Sequence, residues 1–329
     1  MNDYIKIAKE ANAREYLDNL TNRALVVYSP TSMKLVGSAS SKAIFASTHF
    51  MGKDSAKIDE LCDMWRPKEV VGFGGGTAID IAKYISKKKG CKFICIPAML
   101  TTNTFATDKS ALVKDGHKIS IDARMPDEII LDFSLIAKAG AKNLYGLCDV
   151  LSIHTALCDW RLADKSGKEK IDRKIYKKAQ DLLGRGFELV MNSDTESTLD
   201  LNALFHLIGE SGRITNLYGS GRPESGSEHI FAKELESLVD IPHGISIAIG
   251  IKIMSRLQKN ESSQMDDVLL RLGIMSDIPN KDELLGKVKQ TLAGLHPRTD
   301  RYTILDERLP SAGEIDYLTS ALYPKAKGF

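Results

Sequence analysis

The strongest constraint on the fold is a regular alternation of short apolar runs and helix-patterned stretches over the first 132 residues. Apolar runs that predict strands lie at residues 24–28, 43–46, 69–72, 93–96, 118–121 and 128–131. Between them, residues 55–65 and 77–89 repeat apolar side chains at the spacing of one helix face. Strand–helix–strand units build parallel sheets, because each crossover returns the chain in the same direction. We therefore predict a doubly wound α/β domain over residues 1–132.

The pattern changes after Asp132, and the rest of the chain shows helical spacing almost throughout. Segments with this spacing lie at residues 144–162, 174–191, 197–217, 229–238, 245–257 and 265–272. An all-helical second domain is therefore predicted over residues 133–329. Ligands of open α/β sheets bind beyond the carboxyl ends of the strands, so we expect a site between the two domains.

Composition excludes several classes of protein. Hydrophobic residues make up 43% and charged residues 27%, which is ordinary for a globular chain. The net charge of +2 gives no field that would attract nucleic acid, so no nucleic-acid partner is predicted. No apolar run reaches the roughly 18 residues that a membrane span needs, and the N-terminal stretch lacks the apolar core of a signal peptide. Five cysteines without a C-x-x-C pair favour a reducing cytoplasm.

A glycine-rich turn follows the third predicted strand, in the sequence VVGFGGGT (residues 70–77). Glycines before a helix let backbone N–H groups approach a phosphate, and the helix N-terminus adds partial positive charge. The usual G-x-G-x-x-G fingerprint would need glycine where Thr77 stands. A plain tight turn between strand and helix is the alternative. A second candidate is the hydroxyl-rich loop at residues 97–110, which follows the next predicted strand and is otherwise an ordinary polar loop.

Three residues with metal-ligating side chains lie on separate predicted helices: Asp149, His229 and His243. Asp149 stands among apolar residues, where an unpartnered carboxylate is costly. Three oxygen or nitrogen ligands that leave one position open are typical of a catalytic metal site. Spacing alone leaves the simpler alternative open, namely local hydrogen bonding by Asp149 and two unrelated histidines.

Four motifs, taken in order, resemble those of the sn-glycerol-1-phosphate dehydrogenases. They are GFGGGTAIDIAK, GLCDVLS, SGRPESGSEH with its later PHG, and DRYTILD (Asp300 to Asp306). This family belongs to a superfamily of metal-dependent polyol dehydrogenases and 3-dehydroquinate synthases, and the resemblance runs from about Val26 to Asp306. It implies a dehydroquinate synthase-like fold, with an N-terminal α/β dinucleotide-binding domain, an all-α C-terminal domain, and a homo-oligomeric assembly.

The resemblance also implies a reaction and a set of site residues. The reaction is hydride transfer from NADH or NADPH to a small phosphorylated ketone such as dihydroxyacetone phosphate. Asp149, His229 and His243 match the family's catalytic metal ligands, for Zn²⁺ or another divalent cation. The positions that match cofactor contacts are Gly74, Gly75, Gly76, Thr77, Asp80, Thr101 and Thr107.

Three positions depart from the family pattern where substrate is expected to bind. Asn103 stands in place of an aspartate, and Lys233 in place of a histidine four residues after His229. Beyond Asp149, Ser152 is followed by Ile153 and His154, not by asparagine. The first two changes add positive charge, so Asn103, Asp149 and Lys233 are the predicted substrate residues, with Lys109 and Arg222 as further anion contacts. Either the substrate is unchanged, or it is different and more anionic.

Two other functions remain as alternatives at this stage. A non-redox cyclase resembling 3-dehydroquinate synthase would carry a glutamate where Asp149 stands and a lysine where Ser152 stands. A non-catalytic relative would have no need of the three metal ligands. The choice between NAD and NADP stays open, because residues 45–49 offer neither an arginine for a 2′-phosphate nor an acidic residue for a ribose hydroxyl.

Overall fold

The structure, a computed structural model, describes residues 4–192, 200–274, 280–298, 301–320 and 322. The chain divides into two compact units, the first formed by residues 1–143 and 200–216 and the second by residues 144–199 and 217–329. Residues 200–216, which carry a helix, therefore group with the unit that holds the sheet. The domain boundary at 132/133 stays a prediction, since compactness does not test which segments fold independently.

The described residues of the first unit form a six-stranded parallel sheet in the order β1-β8-β5-β4-β2-β3. Its strands are β1 (Ala8–Glu10), β2 (Ala24–Tyr28), β3 (Ile44–Ser47), β4 (Glu69–Gly74), β5 (Lys92–Pro97) and β8 (Glu128–Leu131). Val26 pairs with Val71, and Val71 pairs with Ile94, so the centre of the sheet is a continuous apolar layer. Strands this apolar are buried on both faces, as a doubly wound sheet requires. The predicted parallel α/β architecture is confirmed.

The helices of the first unit connect the strands and cover the sheet. They are α1 (Tyr4–Ile7), α2 (Ala13–Asp18), α3 (Pro30–Val36), α4 (Thr48–Met51), α5 (Ser55–Asp63), α6 (Gly76–Lys89), α7 (Phe133–Ala137) and most of α11 (Leu201–Tyr218). Gly90 ends α6 in the left-handed conformation at φ 61°, which glycine adopts without strain. The short strand β1 was not predicted, because three residues with two exposed positions carry no readable pattern.

A separate two-stranded hairpin, β6 (Lys109–Lys114) and β7 (His117–Asp122), lies between β5 and β8 in the chain. The predicted strand at residues 118–121 is present as β7, but it pairs antiparallel with β6 and does not join the parallel sheet. Asp115 and Gly116 form the turn with φ values of 52° and 78°. An Asp-Gly pair with two positive φ angles is the preferred chemistry of a tight hairpin, so the signal was present in the sequence.

The described part of the second unit is helical, as predicted. It contains α8 (Leu147–Leu151), α9 (Ile153–Lys165), α10 (Arg173–Asn192), α12 (Ser227–Leu238), α13 (His243–Leu257), α14 (Ser263–Arg271), α15 (Lys281–Ala293), α16 (Ile304–Glu307) and α17 (Ala312–Thr319). α13 is buried along most of its length and forms the centre of this core. The helix predicted at residues 144–162 is divided at Ser152, whose hydroxyl donates to the carbonyl of Asp149 at 2.8 Å. No helix among the described residues is long and apolar enough to cross a membrane.

Candidate metal centre and nucleotide turn

Asp149, His229 and His243 come together in the second unit as one cluster. Asp149 lies on α8, His229 in the first turn of α12, and His243 at the first residue of α13. Nε2 of His229 is 3.8 Å and Nε2 of His243 is 3.5 Å from Oδ1 of Asp149. Within the described ranges, this is the group of histidine and acidic residues whose ligand atoms all lie within 4.8 Å of one another. The structure therefore brings together the three residues that the sequence proposed as metal ligands.

Two glycines in α13 allow the helices that carry these ligands to approach closely. A Cβ atom on Gly250 would lie 2.7 Å from the carbonyl oxygen of Glu228 on α12. A Cβ atom on Gly244 would lie 2.5 Å from the Cβ atom of Tyr145. Because real Cβ contacts are never this short, any larger residue would push α13 away from its neighbours. The close approach sets the separation between His229 and His243.

The outer nitrogen of each histidine, Nδ1, is the one that does not face Asp149, and it hydrogen bonds a carboxylate. Nδ1 of His229 donates to Oε1 of Glu228 at 2.8 Å, and Nδ1 of His243 donates to Oε1 of Glu236 at 2.6 Å. With Nδ1 held by a carboxylate, each Nε2 faces Asp149, which is the usual orientation of metal-binding histidines. Sequence reasoning missed both glutamates. The available signal was that Glu228 precedes His229 directly and that Glu236 lies seven residues further, on the same face of α12.

The electrostatics of the cluster match a site built for a cation. Oδ1 of Asp149 is buried and has no hydrogen-bond partner among the described residues. Burial alone would raise the pKa of Asp149, but the two imidazoles hold it well below its usual range. Burial opposes protonation of His243 as well, yet Asp149 and Glu236 raise its pKa to about 10. The carboxylates of Asp149, Glu228 and Glu236 thus surround two imidazoles. The cluster has more negative than positive groups, so it would attract a cation.

The donor set fits a divalent cation of the zinc type. One carboxylate oxygen and two imidazole nitrogens match the ligands of catalytic sites that keep a position open for substrate. The orphaned oxygen of Asp149 and the fixed orientation of both rings are observations that a pair of ordinary core histidines would not explain. We therefore regard this cluster as the candidate metal centre.

The glycine-rich turn lies in the first unit, between β4 and α6. Gly74 has φ 142°, and a Cβ atom there would lie 2.8 Å from Cβ of Ser29. Gly75 precedes α6, and within the described residues no side chain caps this helix start. A side chain on Gly76 would meet Oγ1 of Thr102 at 3.0 Å. The three glycines place no side chain of their own over the uncapped first turn of α6, which suits a helix start that binds phosphate.

The other predicted cofactor residues lie in or against the loop after β5. Oδ1 of Asp80 accepts a hydrogen bond from Oγ1 of Thr104 at 3.0 Å, so this carboxylate is engaged inside the unit. Thr107 is buried, whereas Thr101 is half-buried. Two loop residues that sequence reasoning did not single out reach the glycine turn: Thr102 lies beside Gly76, and Met99 lies beside Gly75.

The three departures from the family pattern have different surroundings. Asn103 is half-buried, and its Nδ2 donates to Oγ of Ser211 at 3.4 Å. Lys233 is half-buried one helical turn beyond His229 on α12. Ile153 is buried, and Nε2 of His154 hydrogen bonds the carbonyl of Asn260 at 2.8 Å. The change at residues 153–154 is therefore accounted for by interior contacts.

The remaining candidates for anion contacts have partners inside the fold. Lys109 forms an ion pair with Asp122 across the hairpin. Arg222 is 1% exposed, and its Nη2 donates to the carbonyls of Asp159 at 3.2 Å and Tyr302 at 2.8 Å. Asp300, the first residue of the fourth motif, lies outside the described residues.

Comparisons with known proteins identify similar chains. A family model described as iron-containing alcohol dehydrogenase matches residues 11–140. The chain is 30% identical over 311 residues to glycerol-1-phosphate dehydrogenase [NAD(P)+] of Pyrococcus abyssi, covering 87% of this chain and 86% of that one. It is 31% identical to the Aeropyrum pernix enzyme of the same name, covering 74% and 70% of the two chains. Sulfoacetaldehyde reductase of Bifidobacterium kashiwanohense shares the fold, with a TM-score of 0.63, 14% identity and 97% coverage of both chains.

Proposed function

The chain belongs to the glycerol-1-phosphate dehydrogenase family, and we propose that it shares the reaction of that family. In this reaction, NADH or NADPH reduces dihydroxyacetone phosphate or a closely related phosphorylated ketone. The observation that carries the proposal is the buried cluster of Asp149, His229 and His243, with each outer histidine nitrogen held by a glutamate. An NAD(P)-linked alcohol dehydrogenase that uses a divalent metal needs this set of donors.

Two groups of residues have different proposed roles at the metal centre: ligands that bind the cation, and glutamates that orient the histidine ligands. Asp149, His229 and His243 would hold Zn²⁺ or another divalent cation, which when bound supplies Lewis-acid polarisation of a substrate oxygen. Glu228 and Glu236 hold the Nδ1 protons, which orients both Nε2 atoms toward Asp149 as the proposed ligands.

The nucleotide would be held by the first unit. We propose that the backbone of Gly74, Gly75, Gly76 and Thr77 binds the pyrophosphate, and that Asp80, Thr101 and Thr107 belong to the same site. The nicotinamide supplies the hydride when bound. The support is local: a helix start uncapped by any described side chain, three consecutive glycines, and a position after the carboxyl end of a central parallel strand.

We propose that Asn103 and Lys233 determine the substrate specificity of the site. Relative to the family pattern, an amide replaces a carboxylate and an ammonium replaces an imidazole. Both changes favour a phosphate or another anion. Lys233 shares a helix face with His229 because i and i+4 positions are neighbours, so its charge belongs near the metal ligands.

The alternative of a non-redox cyclase is not favoured. The curated relatives that match the chain are dehydrogenases, and Asp149 is found where a cyclase of this superfamily would carry glutamate. A cyclase would leave the nicotinamide unconsumed over many turnovers. Stoichiometric loss of NADH absorbance during reduction of a ketone is therefore the observation that separates the two reactions.

We also propose that the protein acts as a homo-oligomer in the cytoplasm. The support for the compartment is that the cysteines of the described ranges, Cys62, Cys91, Cys95, Cys148 and Cys158, are free thiols. A reducing compartment keeps thiols in this state. The oligomer is supported by the family resemblance alone, and sedimentation of the zinc-loaded protein would measure it.

The function is tested by oxidation of NADH and NADPH with zinc-loaded protein and a panel of ketones. The panel contains dihydroxyacetone phosphate, dihydroxyacetone, glyceraldehyde phosphate and longer keto-sugar phosphates. We expect turnover with dihydroxyacetone phosphate and little with its unphosphorylated analogue. Activity confined to another ketone would overturn the substrate but keep the reaction class.

Two variants separate the metal site from the substrate site. His229→Ala should abolish turnover and lower zinc content, because one of three protein ligands is lost. Lys233→Ala should raise KM for a phosphorylated ketone by about ten-fold and leave zinc content unchanged. If Lys233→Ala loses zinc but binds substrate normally, then the assignment of Lys233 is wrong.

A further inference from the structure

A lysine that the proposed chemistry does not use lies fully buried beside the nucleotide turn. Lys83 is on α6, two turns after Gly76, and its side chain is 0% exposed. An ammonium group is costly to remove from water unless its hydrogen bonds are replaced. Lysines are almost never fully buried without such compensation. The buried ammonium of Lys83 therefore needs hydrogen-bond partners that offset the free energy lost on removal from water.

The partners of Lys83 are backbone carbonyls of one loop. Nζ donates to the carbonyl oxygens of Thr104 at 2.6 Å, Thr107 at 2.8 Å and Lys109 at 2.8 Å. An ammonium has three donors, and the three carbonyls that accept them lie between Thr104 and the first residue of β6. Nζ also lies 3.4 Å from Oγ1 of Thr107. The lysine thus fixes the path of this loop from within, chiefly through its backbone.

Asp80 binds the same loop from the same face of α6. It lies three residues before Lys83, and positions i and i+3 are neighbours on a helix. Oδ1 of Asp80 accepts from the Thr104 hydroxyl at 3.0 Å, and its backbone carbonyl accepts from the Ser110 hydroxyl at 3.0 Å. The carboxylate also offsets the buried charge of Lys83, so burial lowers the pKa of Lys83 against the opposing effect of Asp80.

The opposite side of the loop is held by α11. Nδ2 of Asn216 donates to the carbonyl of Ala106 at 2.9 Å, and a Cβ atom on Gly212 would lie 2.9 Å from Cβ of Ala106. The loop backbone from Thr104 to Lys109 is therefore clamped on two sides. The residues just before it, 101–103, are half-buried and polar, and Thr102 reaches Gly76.

We propose that Lys83 is a positioning residue that sets the part of the nucleotide site formed by Thr101 and Thr102. It does so by binding the loop carbonyls, and it does not touch the cofactor itself. Asp80 acts in the same way through Thr104. This inference rests on the proposed binding of a nicotinamide dinucleotide at the glycine turn. It assigns phosphate binding to the start of α6 and placement of the loop to the middle of the same helix.

The two arms of a dinucleotide make the inference testable. A pyrophosphate bound at the glycine turn would lie between β2 and β5, the two neighbours of β4 in the sheet. The part of the dinucleotide on the β5 side would then meet the loop that Lys83 positions. The glycine turn needs only its own backbone, so ADP should bind without the loop, whereas the full dinucleotide should depend on it.

The experiment compares Lys83→Met with Lys87→Met in the zinc-loaded protein. Lys87 is an exposed lysine on the same helix, so it controls for the loss of one cation. Kd values for NADH, ADP and ADP-ribose are measured by titration calorimetry, with kcat, KM and zinc content alongside. For Lys83→Met we expect Kd for NADH to rise about ten-fold or more, with ADP affinity within about two-fold of the parent. Lys87→Met should match the parent throughout.

A second variant covers the case in which Lys83→Met does not fold. Thr104→Val removes the hydroxyl bond to Asp80 at nearly constant shape, and a smaller rise in Kd for NADH with unchanged ADP affinity is expected. Equal losses for NADH and ADP, or no loss for either, would overturn the positioning role. If the parent protein itself binds neither nucleotide, the proposed function fails instead, and the two failures are distinguished by that measurement.

Discussion

At the scale of single residues, the metal centre depends on pairs and not on isolated ligands. His229 and His243 are oriented by Glu228 and Glu236, and the buried oxygen of Asp149 has no other hydrogen-bond partner among the described residues. A histidine without such a carboxylate could rotate, or could carry its single proton on Nε2 in place of Nδ1. We therefore expect the glutamates to contribute to metal affinity although they are not proposed as ligands.

Glu236→Gln is expected to weaken zinc binding by about ten- to a hundred-fold, because the amide cannot fix the Nδ1 proton of His243 as strongly. Competition with a chromophoric chelator measures the affinity. Glu234→Gln, at an exposed position of the same helix, is the matched control and should bind zinc like the parent. Equal affinity in the Glu236 and Glu234 variants would contradict the proposed role of Glu236.

At the scale of elements, one carboxylate outside the metal cluster places the helix that carries His229. Gly226 at the start of α12 offers no side-chain cap. Instead, Oδ2 of Asp159 on α9 accepts from the backbone N–H of Ser227 at 2.7 Å, and its Oδ1 accepts from that of Ile304 at 2.8 Å. Asp159 thus satisfies the first turns of α12 and α16, whose N–H groups have no partner within their own helices.

Asp159→Asn should lower the free energy of unfolding by about 1–3 kcal/mol, because one oxygen becomes an NH₂ group that faces a backbone donor. Denaturant unfolding of the zinc-free protein measures the change. Asp164→Asn, on the same helix but 36% exposed in its side chain, should cost less than about 1 kcal/mol. A similar loss in both variants would contradict the interpretation of Asp159 as a shared helix cap.

Helices and strands differ in how well the sequence predicted them. Long amphipathic helices and buried parallel strands were predicted close to their observed bounds, because a buried face repeats over many residues. The split at Ser152 and the strand β1 were not predicted, since each depends on a few hydrogen bonds that leave no periodic trace. The hairpin at Asp115–Gly116 was missed although its turn chemistry was readable.

At the scale of the whole molecule, each compact unit carries one of the two proposed ligands. The glycine turn belongs to the first unit, and the three proposed metal ligands belong to the second. Ligands that bind the native state stabilise the part of the protein they contact. Zinc and nucleotide should therefore protect different segments.

Hydrogen exchange of the parent protein tests this division. Removal of zinc with a chelator should speed exchange in α8, α12 and α13, whereas ADP should slow exchange at the turn between β4 and α6. At a ligand concentration of 100 times Kd, the stabilisation is about 2.7 kcal/mol, which is well within the range of the method. Protection by zinc at the glycine turn, with none at α12, would contradict the assignment of the two sites.

The sequence by itself determined the parallel α/β architecture, the helical second half, the glycine turn and the three residues proposed as metal ligands. These features are carried by residue type, periodicity and motif order, which are local properties of the chain. Tertiary structure alone decided the partners of those residues: Glu228 and Glu236 behind the histidines, Asp159 at the start of α12, and Lys83 inside the loop after β5. Asp159 and Lys83 contact segments that are distant along the chain. The two glutamates lie one and seven residues from their histidines, and their hydrogen bonds depend on side-chain geometry and on the close packing at Gly250 and Gly244, which the sequence pattern does not show.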